Sequence, residues 1–245
     1  MIPLRDSLPT RRFPIVSITL IIMNAVIFLM DQLTGGYTIE QRGFYLIRRF
    51  EGGLSTHYAM IPANVTGDFS TAWFTIFSSM FLHANWLHIG GNMLYLWIFG
   101  NNVEDALGRF RFLLFYLTCG VAAAAAHILS NPLSEIPTVG ASGAVAGVMG
   151  AYLILYPHAS ILALVPVFFI STLMEVPAIL VIGYWALIQF LNANWLGGGE
   201  LSGGGVAYFA HIGGFVAGII IILMLGGRNL AKPRRRWRDD YYYYR

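Results

Sequence analysis

A chain of 245 residues with 57% hydrophobic and only 11% charged side chains cannot clothe a soluble surface, because globular chains carry about 25% Asp, Glu, Lys and Arg. Disorder, a secreted disulfide scaffold and an ordinary soluble enzyme are excluded on the same ground. The one cysteine, Cys119, lies in an apolar stretch and reads as a buried thiol. The small net charge of +3 makes nucleic-acid binding a poor reading.

The apolar runs are too long and continuous for alternating barrel strands of roughly ten residues, so the fold is expected to be all-α and polytopic in a membrane. Spans are predicted at 14–32, 86–103, 110–130, 142–157, 176–193 and 206–226, each bounded by charge, Pro or Gly. The apolar stretch Ile161 to Met174, interrupted by Pro166 and closed by Glu175, is short for a crossing and is expected to be interfacial or re-entrant. The first span ends at Asp31-Gln32-Leu33 without a small-residue cleavage pattern, which predicts a retained anchor.

Six spans divide the chain into a tail at 1–13, a membrane domain at 14–226 and a basic tail at 227–245. Both tails then share one side with the second and fourth loops. Twelve of the 15 Lys and Arg fall there, among them Arg11, Arg12, Arg109, Arg111 and Arg234-Arg235-Arg236. The other side holds only Arg42, Arg48 and Arg49. This asymmetry predicts both ends in the cytoplasm, with the basic tail suited to anionic lipid; the membrane is expected to be the plasma membrane of a prokaryotic cell. A seventh crossing through 161–174 would put that tail outside, which counts against it. The Tyr241 to Tyr244 run reads as an interfacial or disordered tail.

Polar groups at membrane depth are costly and mark function by default. In His83-Ala-Asn-Trp-Leu-His88-Ile-Gly-Gly-Asn92, His88 and Asn92 are four residues apart and share a helix face. Two donors aimed alike suit an oxyanion; they equally suit an interhelical hydrogen-bond pair. Gly140-Ala141-Ser142-Gly143 opens the fourth span. Its glycines permit a tight turn, and a helix N-terminus offers free N–H groups to developing negative charge. Gly143, Gly147 and Gly150 also make a small-residue packing face. The span from Ser142 to Pro157 is about 24 Å long against about 30 Å of hydrocarbon, so Ser142 is expected below the outer surface. His211 lies early in the sixth span, ahead of the GxxxG pair Gly214 and Gly218. Alone, a membrane histidine is more often a structural hydrogen-bonder than a catalyst. The fourth and sixth spans run the same way, however, so His211 and Ser142 are placed to meet as base and hydroxyl.

On these residues the sequence resembles the rhomboid family of intramembrane serine proteases. The likeness rests on His83…His88-x-x-x-Asn92, Gly140-x-Ser142-Gly143 and His211-x-x-Gly214-x-x-x-Gly218, in that order on the second, fourth and sixth spans, and extends over roughly residues 14–226. It implies Ser142 as nucleophile and His211 as its base, without an acidic third member. His88, Asn92 and the Ser142 backbone N–H would form the oxyanion hole, with His83 supporting and Glu104 holding helices together. It also implies single-pass transmembrane proteins as substrates, a first loop dipping into the bilayer, and a gate formed by the fifth span and the loop bearing Gly197 to Gly199 and Gly203 to Gly205. No cofactor is implied.

Two departures stand out. The region Ala72-Trp73-Phe74-Thr75 lacks the arginine of the family's frequent Trp-Arg pair, and Ala146 stands where an aromatic often packs on the catalytic ring. Another group must then orient His211, and Tyr208 is the candidate. Alternatives are a catalytically silent rhomboid-like protein that binds transmembrane helices for quality control, a transporter, and a metal site built from the six histidines. The transporter lacks repeats and paired intramembrane acids, and the metal site lacks carboxylate or Cys ligands.

Overall fold

The computed structural model describes residues 1–42, 45–167, 170–195 and 206–231. A strand β1 (Ile2–Asp6) precedes α1 (Ile15–Thr34). An antiparallel hairpin of β2 (Gly35–Arg42) and β3 (Tyr45–Gly52) follows. Four short helices come next: α2 (Leu54–Tyr58), α3 (Pro62–Gly67), α4 (Phe69–Ala72) and α5 (Thr75–Ser78). A second rod begins as α6 (Trp86–Tyr95), passes through a π-helical turn at Leu96–Gly100 and continues as α7 (Asn101–Leu107). Gly108, at φ 82°, turns the chain into α8 (Arg109–Ser130), a backbone state that glycine adopts without penalty. Then come α9 (Ser142–Leu155), β4 (Ser160–Val167), β5 (Ile170–Pro177), α10 (Ala178–Trp195) and α11 (Tyr208–Met224).

Each predicted span falls on one of these rods. Two helices, Ile15–Thr34 and Arg109–Ser130, are by themselves long and apolar enough to cross a membrane, and three shorter apolar helices accompany them. Helix α9 sits at the centre, buried at every residue from Gly143 to Tyr152. Its apolar residues point in all directions, as suits a rod enclosed by others. Around its lower half pack Leu96, Phe99, Val103, Phe112 and Tyr116, all without exposed surface.

The all-α expectation needs correction. The segment 161–174, expected to be interfacial or re-entrant, is a β-hairpin: β4 and β5 pair antiparallel from Ser160↔Pro177 to Val167↔Ile170, and β1 pairs on the other side of β4. The chain enters and leaves this hairpin at one place, since the Ala178 N–H donates to Ala159 O (2.8 Å) and the Ile179 N–H to Pro157 O (3.0 Å), so it crosses nothing. The reason is legible afterwards in Ile161, Val165, Val167, Ile170, Thr172 and Val176, β-branched residues that favour a pleated surface. Ile161 and Ala163 are fully buried on one face, the alternation of a strand. Pro166, which has no N–H to give, lies beyond the stretch that β1 covers, where β4 has β5 alone as a neighbour.

Residues 1–13 likewise do not form a free tail. Beyond β1, the Ser7 N–H donates to Ser160 O (2.8 Å), and Asp6 Oδ2 accepts from Asn102 Nδ2 (2.5 Å) and from the Tyr152 hydroxyl (2.9 Å). Glu104 completes this end of the bundle. Its Oε1 accepts from the Val16 N–H (3.0 Å), and its Oε2 accepts from both the N–H and the hydroxyl of Ser17 (2.8 Å each). It therefore supplies the cap that α1 lacks from its own N-cap position, occupied by Pro14.

The opposite end is tied by backbone bonds between the first and third loops. Met60 and Thr138 exchange N–H donors (3.1 and 2.8 Å), the Ala63 N–H donates to Ser134 O (3.0 Å), and the Gly140 N–H donates to Ser79 O (2.9 Å). The β1 segment and the β4–β5 hairpin thus meet at one end, and the loops before α6 and α9 meet at the other.

Between the ends, α9 and α11 meet through glycine. A Cβ on Gly214 would overlap the Gly143 carbonyl, one on Gly218 the Gly147 carbonyl, and one on Gly150 the Phe215 carbonyl. Apolar side chains gain little from each other in lipid, so close backbone packing of this kind is the main source of helix association. Gly218→Val should lower stability by about 3 kcal/mol, because a backbone carbonyl cannot rotate away as a side chain would; thermal unfolding in detergent measures it. Glu104→Ala should cost about 2–3 kcal/mol, through loss of charge-assisted bonds to otherwise unpaired N–H groups, on the same measurement.

Candidate active site

The site lies at the N-terminal end of α9. Gly140 adopts φ 130°, which lets the chain turn directly into the helix with Ser142 as its first residue. No side chain caps this terminus, so its first N–H groups face the adjoining space. Ser142 Oγ lies 2.8 Å from Nε2 of His211. His211 stands in the first turn of α11 and is 9% exposed. The glycine contacts between α9 and α11 hold the two side chains at this distance, as the GxxxG spacing predicts.

On the other side of Ser142 stands α6. Asn85 caps that helix by accepting the His88 N–H on Oδ1 (2.9 Å). The Ala84 N–H points at His88 Nδ1 (3.4 Å). This leaves Nε2 as the protonated nitrogen. That nitrogen faces Gly140: a Cβ built there would stand 2.7 Å from His88 Nε2 and 3.6 Å from Ser142 Oγ. One small volume is therefore bounded by the serine hydroxyl, an imidazole donor and a residue that has no side chain to fill it. Asn92, one turn along α6, is buried, and its Nδ2 has no protein partner. His83 is 1% exposed and sets its ring edge-on to His88 at 5.1 Å.

These groups line one cavity of about 1000 Å³, with Gly140, Ser142, His211, His88 and Asn92 on its wall. Met60, Ile76, Ser79 and Met80 bring the first loop to the same wall. His127 of α8 faces it as well, with Nε2 3.0 Å from the Thr138 hydroxyl. Next to the cavity, the first loop carries Phe69, Trp73, Phe74 and Phe77 as exposed rings. Among the described residues no cluster of three His, Cys, Asp or Glu side chains is arranged to hold a metal ion.

The contacts that hold the His211 ring come from residues outside the predicted set. Gln189 Oε1 lies 2.7 Å from His211 Nδ1, and the Trp185 ring lies 5.8 Å from the imidazole, tilted by 36°. Both belong to α10, four residues apart and so on one face. Tyr208, the sequence candidate for this task, provides neither contact. A signal was available, since Gln189 is the first amide met along an apolar helix. The glycine clusters at 197–199 and 203–205 lie outside the described residues, as do the Tyr241 to Tyr244 run and the basic residues from Lys232 onward.

The family model described as Rhomboid domain matches residues 70–228. The chain is 33% identical over 159 residues to Rhomboid protein 1, mitochondrial, of Saccharomyces cerevisiae, covering 62% of this chain and 42% of that protein. It is 32% identical over 169 residues to Rhomboid-like protein 11, chloroplastic, of Arabidopsis thaliana, covering 63% and 53%. It is 26% identical over 165 residues to Putative rhomboid protease YdcA of Bacillus subtilis, covering 67% and 71%. The chain thus spans about half the length of the first two relatives. With organellar and bacterial proteins both among them, the expectation of a prokaryotic plasma membrane gains no support. The match across 70–228, which takes in α6, α9 and α11 with every residue of the site, establishes that this chain belongs to the rhomboid family of polytopic helical membrane proteins.

Proposed function

We propose that the protein is an intramembrane serine endopeptidase that cleaves transmembrane-helix substrates near the outer face of its membrane. The reading is carried by one observation, the 2.8 Å approach of Ser142 Oγ to His211 Nε2 in a largely buried site. On this reading the rods α1, α6–α7, α8, α9, α10 and α11 are six crossings within a membrane domain at 14–226, with both ends of the chain on the inner side. The exchange of backbone bonds between the first and third loops supports it, as does the packing of β1 against β4 at the other end.

In the reaction, His211 Nε2 takes the hydroxyl proton as Ser142 Oγ attacks the scissile carbonyl carbon. The carbonyl oxygen becomes an oxyanion held by His88 Nε2–H, the Asn92 amide and the free N–H groups opening α9. Collapse breaks the C–N bond, and the imidazolium returns its proton to the leaving amine. Water, activated by the same nitrogen, then clears the acyl-enzyme. Water reaches this depth through the cavity, because irregular backbone is tolerated within a membrane where it lines water. The exposed rings of the first loop suit the headgroup region and would thin or anchor the bilayer beside the site.

The alternative, a silent relative that only binds transmembrane helices, predicts no reactive serine. Purified protein in detergent should cut a generic single-pass substrate and take up a fluorophosphonate at Ser142, whereas Ser142→Ala should do neither while unfolding at the same temperature. Cleavage by the alanine variant, or an unreactive parent, would overturn the assignment. Asn92→Ala should reduce kcat on the order of 10²-fold, as for loss of one oxyanion donor; an unchanged rate would remove Asn92 from that role. Gly140→Ala should suppress turnover to a similar or greater extent, because its methyl group would occupy the space between His88 Nε2 and Ser142 Oγ; steady-state rates on the same substrate measure it.

A further inference from the structure

We infer that Gln189 is the third member of the catalytic assembly, a positioning residue whose amide oxygen fixes the tautomer and tilt of His211. The inference rests on the proteolytic reading for its purpose, and on geometry alone for its content.

A neutral imidazole carries one N–H, on either nitrogen. A general base at Nε2 needs that nitrogen bare, so the proton must reside on Nδ1. An amide oxygen accepts and cannot donate, so the 2.7 Å contact of Gln189 Oε1 with His211 Nδ1 is satisfied only by the Nδ1–H form. The same contact therefore leaves the Nε2 lone pair directed at Ser142 Oγ, 2.8 Å away. Gln189 is 8% exposed and His211 9%. Gln189 does not line the cavity, so the bond is shielded from water on the amide side.

The ring is fixed in a second dimension by Trp185, whose tilted face at 5.8 Å limits rotation of the imidazole about its Cβ–Cγ bond. Trp185 also contacts Phe215, one turn beyond His211 on α11, with ring centroids 6.0 Å apart. Val181, Ile182, Gln189 and Ala193 are buried along α10, which points the amide at His211. An amide suits this place better than an acid. A carboxylate buried among apolar side chains pays a desolvation penalty that an uncharged acceptor avoids, while the amide still supplies the one bond that tautomer selection needs. Position 146, one turn into α9, is alanine, so orientation of the ring falls to α10.

The test uses the full-length protein in detergent with Gln189→Met, which keeps the length of the side chain and removes the oxygen, and Gln189→Glu, which keeps an acceptor. Gln189→Met should lower kcat by about 10–100-fold with KM nearly unchanged, since the lost contact acts on the base and not on substrate. Gln189→Glu should recover a substantial part of that loss, which a purely space-filling role would not do. Nitrogen-15 spectra of histidine-labelled protein, with the His211 signals assigned from a His211→Phe sample, should show the proton on Nδ1 in the parent and a mixed or reversed tautomer in Gln189→Met. Parent-like kcat and spectra in Gln189→Met, or an Nε2–H tautomer in the parent, would overturn the inference. An inactive parent that nevertheless shows the Nδ1–H form, lost in Gln189→Met, would sink the proteolytic reading and leave the positioning contact standing.

Discussion

The approach of α9 to α11, backbone against backbone, is the constraint on which the remaining geometry depends. Where Gly143 and Gly147 meet Gly214 and Gly218, carbonyl oxygens occupy the positions that side chains would need. This brings the helix axes close enough for a short hydroxyl on one rod to meet an imidazole on the other. Larger residues at these places would hold the rods apart, and no rearrangement of Ser142 or His211 could span the added distance, because serine has a single rotatable bond to its oxygen.

Around that contact the two ends of the bundle differ in kind. The end containing β1 is locked by charge-assisted bonds from Glu104 and Asp6 to the start of α1, to Asn102 and to Tyr152. The end containing Ser142 is closed by backbone exchanges between loops and holds a cavity lined by four polar side chains of the site. Asn92 Nδ2, buried and without a protein partner, lies on the wall of that cavity. Stability is drawn from one end, and an open, wettable site is tolerated at the other.

Helix α10 links the two themes. Its lipid-facing side is apolar and exposed, as at Leu180, Leu187 and Phe190, while its inner face carries Trp185 and Gln189 against His211. The imidazole is thus held by three helices: α11 supplies it, α9 receives its Nε2, and α10 engages its Nδ1. Position 146 on the serine helix is alanine, and the ring contacts come from α10.

The sequence by itself determined the membrane class, the six apolar segments and the residues His88, Asn92, Gly140, Ser142, His211, Gly214 and Gly218, because hydrophobic length, scarce intramembrane polarity and glycine spacing are local properties of a chain. It did not give the strands of 161–174, since a short apolar run is equally a buried helix or a strand, and only closure against β1 and against the ends of α9 and α10 selects the hairpin. It passed over Gln189 and preferred Tyr208, because the partner of an imidazole depends on how a third helix is rotated about its axis, and no periodicity in that helix alone fixes the angle it presents to its neighbours. Tertiary packing decided that rotation, and with it which nitrogen of His211 is left free to face Ser142.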